Sequence, residues 1–217
     1  FSKINEALGY KLKKDLFGEN FSGKIILHAA TQKDRSSLRF HIMETLDEYM
    51  ATLRDLVESV IKLENVYLVI RPHPVFRLDE QQFRSFLPSS DRIRFVSRGS
   101  FEKVLSICDL LVSFSSTCIE EALQNDIPVL LYDRWNRYNH FKIEEITSVA
   151  SFTKKPAWYL SDSALLTQTM EYILKAAEKG SFSKEEMASY KYPAEYCQNF
   201  YKYVEACFPA RGGSASG

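Results

Sequence analysis

The chain has 217 residues, 45% hydrophobic and 26% charged, which is enough apolar material for one well-formed core and argues for a single domain. Its 28 basic and 28 acidic residues cancel, so no overall field draws it to nucleic acid or an anionic membrane, and any anion site has to be local. The four cysteines, Cys108, Cys118, Cys197 and Cys207, form no CxxC pair, which argues against a disulfide framework or a zinc site and for reduced thiols in a cytoplasmic protein. No apolar run reaches the roughly 20 residues that span a bilayer, and no signal peptide is visible.

In chain order, residues 1–21 read as a helical lead-in. Lys24 to Ala30 is a short apolar run after a glycine and predicts a core strand, followed by a polar turn over 31–37. From Phe40 to Leu63 apolar residues recur every three or four positions, the stripe of a long amphipathic helix. A second buried strand is expected over Val66–Ile70, entered through Asn65. Then come a short helix over Leu78–Leu87, a strand over Arg92–Val96, a helix over Phe101–Ile107, a strand over Asp109–Ser113, a helix over Thr117–Gln124 and a strand over Ile127–Tyr132. The signal weakens after Phe141: a short helix, a strand at Ala157–Leu160, and helices at Ser161–Lys179 and Lys184–Cys207. Strands that are continuously apolar and alternate with helices predict a parallel sheet covered on both faces, an α/β, Rossmann-like doubly wound fold over 22–208. The start at Phe1 and the glycine- and serine-rich end read as a domain taken from a longer protein, with 209–217 a disordered tail or cloning remnant.

Two turns carry chemistry. Ser113-Phe-Ser-Ser-Thr117 joins a strand to a helix, where unpaired N–H groups and hydroxyls favour an anion. The same residues also fit plain capping, with Thr117 as N-cap and Glu120 completing a capping box, which leaves Ser115, Ser116 and Glu121 for a ligand. The second turn is Pro72-His73-Pro74. Each proline fixes its own φ and restricts the residue before it, so His73 leaves its strand in a set direction. A phosphate beside it would favour the charged imidazole and let it act as donor or general acid; the alternative is a histidine that caps or packs. Arg71, Arg77 and Lys33 offer positive charge or simply solvated surface, while His28 and Trp158 fit the core. Residues 134–141 follow a strand and hold aromatic and amide groups suited to a base or sugar, or to packing. No Walker lysine loop, GxGxxG or HExxH occurs.

The strand with its His-Pro turn, Asp109-Leu-Leu-Val-Ser-Phe-Ser-Ser-Thr117, Glu121 and Asn125-Asp-Ile-Pro-Val-Leu-Leu131 together resemble the donor-binding half of GT-B glycosyltransferases. The likeness runs over 24–141 and is greatest to bacterial surface-polysaccharide enzymes that use CMP- or CDP-linked donors: capsule Kdo transferases, polysialyltransferases and teichoic acid polymerases. The resemblance implies His73 as the catalytic contact to the donor phosphate, Ser115, Ser116, Thr117 and Arg71 as phosphate ligands, Glu121 on the ribose, and Asn136, Tyr138 and His140 near base or sugar. It implies a CMP-linked nucleotide-sugar donor such as CMP-Kdo or CMP-sialic acid, a glycan or glycolipid acceptor, an acceptor domain outside this chain, no metal and no cofactor, and a cytoplasmic place at the inner face of the membrane. The alternatives are a CDP-glycerol or ribitol-phosphate transferase, a UDP-sugar 2-epimerase, whose Gly-rich turn is replaced here by serines, and a non-catalytic nucleotide-binding or scaffold module.

Overall fold

The structure, a computed structural model, describes residues 4, 6–30, 42–73, 79–180, 182 and 184–192. The helical lead-in is α1 (Glu6–Phe17), and β1 (Lys24–Ala30) follows. Next come α2 (Leu46–Lys62), β2 (Val66–Pro72), α3 (Glu80–Phe86), β3 (Ile93–Phe95), α4 (Phe101–Leu105) and β4 (Leu110–Ser113). The chain continues through α5 (Cys118–Gln124), β5 (Val129–Tyr132), β6 (Ala157–Leu160), α6 (Leu166–Glu178) and α7 (Lys184–Ser189).

All six strands are parallel, in the order β3-β2-β1-β4-β5-β6. The order reverses between β1 and β4, the arrangement of a doubly wound sheet. Side chains alternate between two cores. Ile26 and Leu68 point to the face covered by α2, α3 and α6, where Leu53, Leu56, Phe83 and Ile173 are fully buried. Ile25, Leu27 and Val69 point to the other, where Leu12 of α1, Leu105 of α4, Ile119 and Leu123 of α5 and Met187 of α7 pack. With helices on both faces, β4 and β5 are buried at every position, which is why they read as unbroken apolar runs. Truncating one fully buried side chain of this interior, Leu53→Ala, costs about 2–5 kcal/mol.

Helix boundaries differ from the periodicity. The α2 stripe extends back through Ile42 and Met43, yet the helix begins at Leu46, because Thr45 accepts from the Glu48 amide at 3.2 Å and Glu48 accepts from the Thr45 amide at 2.7 Å. This reciprocal cap fixes the start where pattern alone could not. Asp79 and Gln82 do the same for α3. No α-helix follows Phe141 directly; that segment is turns and a short 3-10 turn at Val149–Ser151. The last helix closes at Ser189 instead of running on from Lys184, and residues 193–207 of that expectation lie outside the described residues, as do the polar turn at 31–37, with Lys33, and also Pro74 and Arg77. Among the described residues no helix is long and apolar enough to cross a membrane.

Candidate functional site at the sheet's carboxyl edge

The reversal opens a gap between β1 and β4. Their ladder ends at His28↔Val112, while β1 and β2 stay paired to Ala30↔Pro72. Beyond the ladder, the hydroxyl of Ser113 donates to the Ala29 carbonyl at 2.8 Å, closing the last backbone acceptor before the strands part. Phe114 and Ser115 are still buried, Ser116 is half-buried and Thr117 is exposed. His73 leaves β2 one residue past Pro72 and is exposed. The backbones of β2 and β4 are two strand spacings apart, about 10 Å, so His73 and the Ser115–Thr117 turn stand on either side of the β1 terminus. In an open α/β sheet this crevice is where ligands bind.

The turn is built differently from the capping expectation. Thr117 has helical dihedrals (φ −64°, ψ −13°) and makes no side-chain cap; an N-cap needs an extended backbone for its oxygen to reach the following amides. Ser116 takes over, its Oγ accepting from the Cys118 amide at 3.3 Å and its carbonyl from Ile119 at 3.1 Å. Glu120 does not fold back on Thr117 either. Its carboxylate accepts from His140 Nε2 at 2.7 Å. Burial raises the Cys118 thiol, which leaves it protonated and unsuited to nucleophilic chemistry at neutral pH.

Glu121 is half-buried, and its carboxyl is raised, first by burial and then by the nearby charges of Glu102 and Glu120. On α5, Glu120 thus bonds the loop after β5, while the charge of Glu102 on α4 acts on Glu121. Arg71 is placed one residue before Pro72, but most of its fork is committed elsewhere. Nη1 donates to the carbonyls of Val96 and Arg98 at 3.1 and 3.2 Å, and Nη2 to that of Gly99. The Nε–H and one Nη2–H remain. Arg71 therefore ties the β3–α4 loop to the strand that leads into His73. Gly99 lies in that loop at φ +88°, a left-handed conformation that costs glycine nothing.

The loop after β5 is held by many internal bonds. Asp133, 2% exposed, accepts from the backbone amides of Trp135 (3.3 Å), Arg137 and Tyr138 (2.7 Å), and the Tyr159 hydroxyl oxygen lies 3.4 Å from it. Burial raises its carboxyl while these amides pull it back down. Asn136 sits at φ +50° and its Oδ1 accepts from the Tyr159 hydroxyl at 2.7 Å. Arg134 bridges to Asp55, and Arg137 to Glu48 and the Met43 carbonyl on the α2 side. Of the three groups proposed from sequence for base or sugar, Asn136 is exposed with its Oδ1 bonded to Tyr159, His140 bonds Glu120 of α5 through Nε2, and Tyr138 is half-buried beside the His140 ring. His28 fits the core as expected: its Nδ1 bonds the Val112 carbonyl. Among the described residues no group of three His, Cys, Asp or Glu is placed to hold a metal ion.

Sequence reasoning missed Asp133. The available signal was an aspartate directly after a buried strand with an asparagine three residues on, a pattern that favours side-chain-to-backbone turns.

The order β3-β2-β1-β4-β5-β6, with a crevice at the reversal, defines a single doubly wound, Rossmann-like unit. It aligns with the wall teichoic acid polymerase TagF soaked with CDPG (TM-score 0.52, 11% identity, 92% of this chain and 45% of that one). It also aligns with the UDP-GlcNAc 2-epimerase of Neisseria meningitidis bound to UDP-GlcNAc (0.56, 14%, 90% and 48%) and with the glycotransferase of kitacinnamycin (0.52, 15%, 85% and 44%). At these identities the likeness is one of fold, and the chain spans about half the length of each structure. The model of the LIC12162 family of transferases matches residues 8–152. The chain belongs to that family. No curated protein matches it in sequence.

Proposed function

We propose that this chain is the donor-nucleotide-binding half of a GT-B glycosyltransferase that takes a CMP-linked sugar, such as CMP-Kdo or CMP-sialic acid, for bacterial surface polysaccharide. One observation supports the reading: the order reversal at β1 and β4 leaves the end of β2, which leads into His73, on one side of the crevice and the Ser115–Thr117 turn on the other. Membership of a transferase family is consistent with group transfer at that edge.

An acceptor hydroxyl attacks the anomeric carbon, its proton passing to a base on the acceptor domain, as the bond from that carbon to the phosphate oxygen breaks and CMP departs. His73 offers a proton or positive charge to the leaving phosphate, the serine and threonine hydroxyls bind its oxygens, and Glu121 accepts the two ribose hydroxyls. Positioning supplies much of the rate, since little covalent chemistry is left to the protein. The acceptor glycan or glycolipid and the groups that bind it belong to a second domain, which also carries any peripheral attachment to the membrane.

Thermal shift with CMP, CDP, UDP and ADP at about millimolar concentration tests the site, because a ligand specific to the folded form raises Tm by mass action. CMP is expected to give the largest shift and His73→Ala to reduce it. No shift with any nucleotide overturns the reading. Donor hydrolysis by the full-length protein with CMP-Kdo, CMP-sialic acid and CDP-glycerol separates sugar transfer from attack at phosphorus.

A further inference from the structure

Residues 133–141 carry more internal bonding than a connection between two strands needs. One buried carboxylate, Asp133, gathers three backbone amides, and the Tyr159 hydroxyl, 3.4 Å from that carboxylate, donates its single proton to the Asn136 carbonyl oxygen at 2.7 Å. Each of these donors would otherwise be solvated or would open the turn, so the carboxylate selects one loop conformation over many. The shaped loop is then tied on two sides. Arg134 and Arg137 fasten it to α2 through Asp55 and Glu48, and His140 fastens it to α5 through Glu120.

The second tie matters because α5 carries the candidate site at its start. Glu120 lies three residues past Thr117 and next to Glu121, and no Thr117 side-chain cap holds that end of the helix. The His140 ring is itself confined, edge-on to Tyr138 and Phe141 at centroid distances of 5.8 and 4.8 Å. Its side chain is 11% exposed and that of Glu120 18%, so the bond is shielded from water. A helix of seven residues with a weak cap takes its position from what it packs against. Asp133 shapes the loop, the loop holds His140, and His140 holds Glu120.

We propose that Asp133 is a positioning residue for the transferase site, acting through the His140–Glu120 bond to set the start of α5 and with it Ser116, Thr117 and Glu121. The functional part of this inference rests on the donor-site reading above; the mechanical part does not.

Hydrogen exchange on the ligand-free protein separates the two. In Asp133→Asn, amides of both 134–138 and 116–121 are expected to exchange about tenfold faster through local opening. In His140→Ala only 116–121 accelerates, since Asp133 still holds the loop. The core variant Ile173→Val supplies the comparison: it lowers global stability without touching either segment, and changes neither local rate. CMP titration of the same proteins is expected to show Kd weakened about tenfold in both Asp133→Asn and His140→Ala, because small misplacements of a positioned group are costly. Unchanged exchange at 116–121 in both variants overturns the proposal, as does faster exchange there with CMP affinity intact. If the unaltered protein binds no nucleotide, the donor-site reading fails, and exchange alone decides whether Asp133 sets α5.

Discussion

The ring of His28 donates from Nδ1 to the carbonyl oxygen of Val112, 3.1 Å away, joining the last paired residues of the two strands at which the sheet order reverses. A carbonyl only accepts, so the proton is on Nδ1 and the lone pair on Nε2. That Nε2 is buried with no hydrogen-bond partner.

This histidine makes stability depend on pH. Burial holds its pKa at about 4, below the usual 6.5, against a smaller opposite effect of the Val112 bond. The unfolded chain takes the proton first. Stability is therefore complete above the unfolded value, declines as pH falls through it, and levels off below the folded value, for a total loss of about 3 kcal/mol. His28→Gln removes that slope. Urea unfolding at about pH 7.5 and about pH 4.5 checks it, and parallel losses in the two proteins between those values would reject it.

The start of α5 distinguishes capping from binding. Thr117→Ala is expected to change stability by less than about 0.5 kcal/mol, while Ser116→Ala costs about 0.5–1 kcal/mol for the lost contact to the Cys118 amide. Nucleotide affinity falls in both if their hydroxyls bind phosphate. Equal stability losses would mean that the cap is shared.

Arg71 is a test of geometry against charge. Lysine keeps the charge but cannot span the carbonyls of Val96, Arg98 and Gly99 with one planar group. Arg71→Lys is expected to lose about 1–2 kcal/mol in chemical unfolding, close to the loss in Arg71→Ala. A lysine variant as stable as the unaltered protein contradicts the bracing role.

Glu121 offers a substitution that separates stability from ligand binding. Its raised carboxyl means that the folded state disfavours the charge, so Glu121→Gln is expected to leave Tm unchanged or higher at neutral pH and to weaken nucleotide binding. The measurement is Tm with and without CMP. A lower Tm in the ligand-free variant would assign the carboxylate a structural partner.

Much of the fold was legible because its signals are local. The β1 strand at Lys24–Ala30 and the β6 strand at Ala157–Leu160 have the same limits in the sequence and in the structure, β3, β4 and β5 shorten by one or two residues, and β2 extends to Pro72 through its pairing with Ala30. Helix starts were less legible. The Thr45–Glu48 cap lies inside an apolar stripe that reads as helix on both sides, and the sequence Thr117-Cys-Ile-Glu120 has the letters of a capping box without the backbone for one. Those letters specify donors and acceptors, but the dihedral at the cap depends on how the strand before it leaves the sheet.

By itself the sequence determined a parallel α/β sheet and placed His73 and Ser115–Thr117 at strand ends, because apolar runs, proline restriction and strand polarity act over a few residues. Tertiary structure decided which strand ends are neighbours and where each polar group is spent. Arg71 meets carbonyls 25 to 28 residues away, and Glu120 meets a histidine 20 residues on. Such partners are chosen by the sheet order, and no pattern of neighbouring residues encodes them.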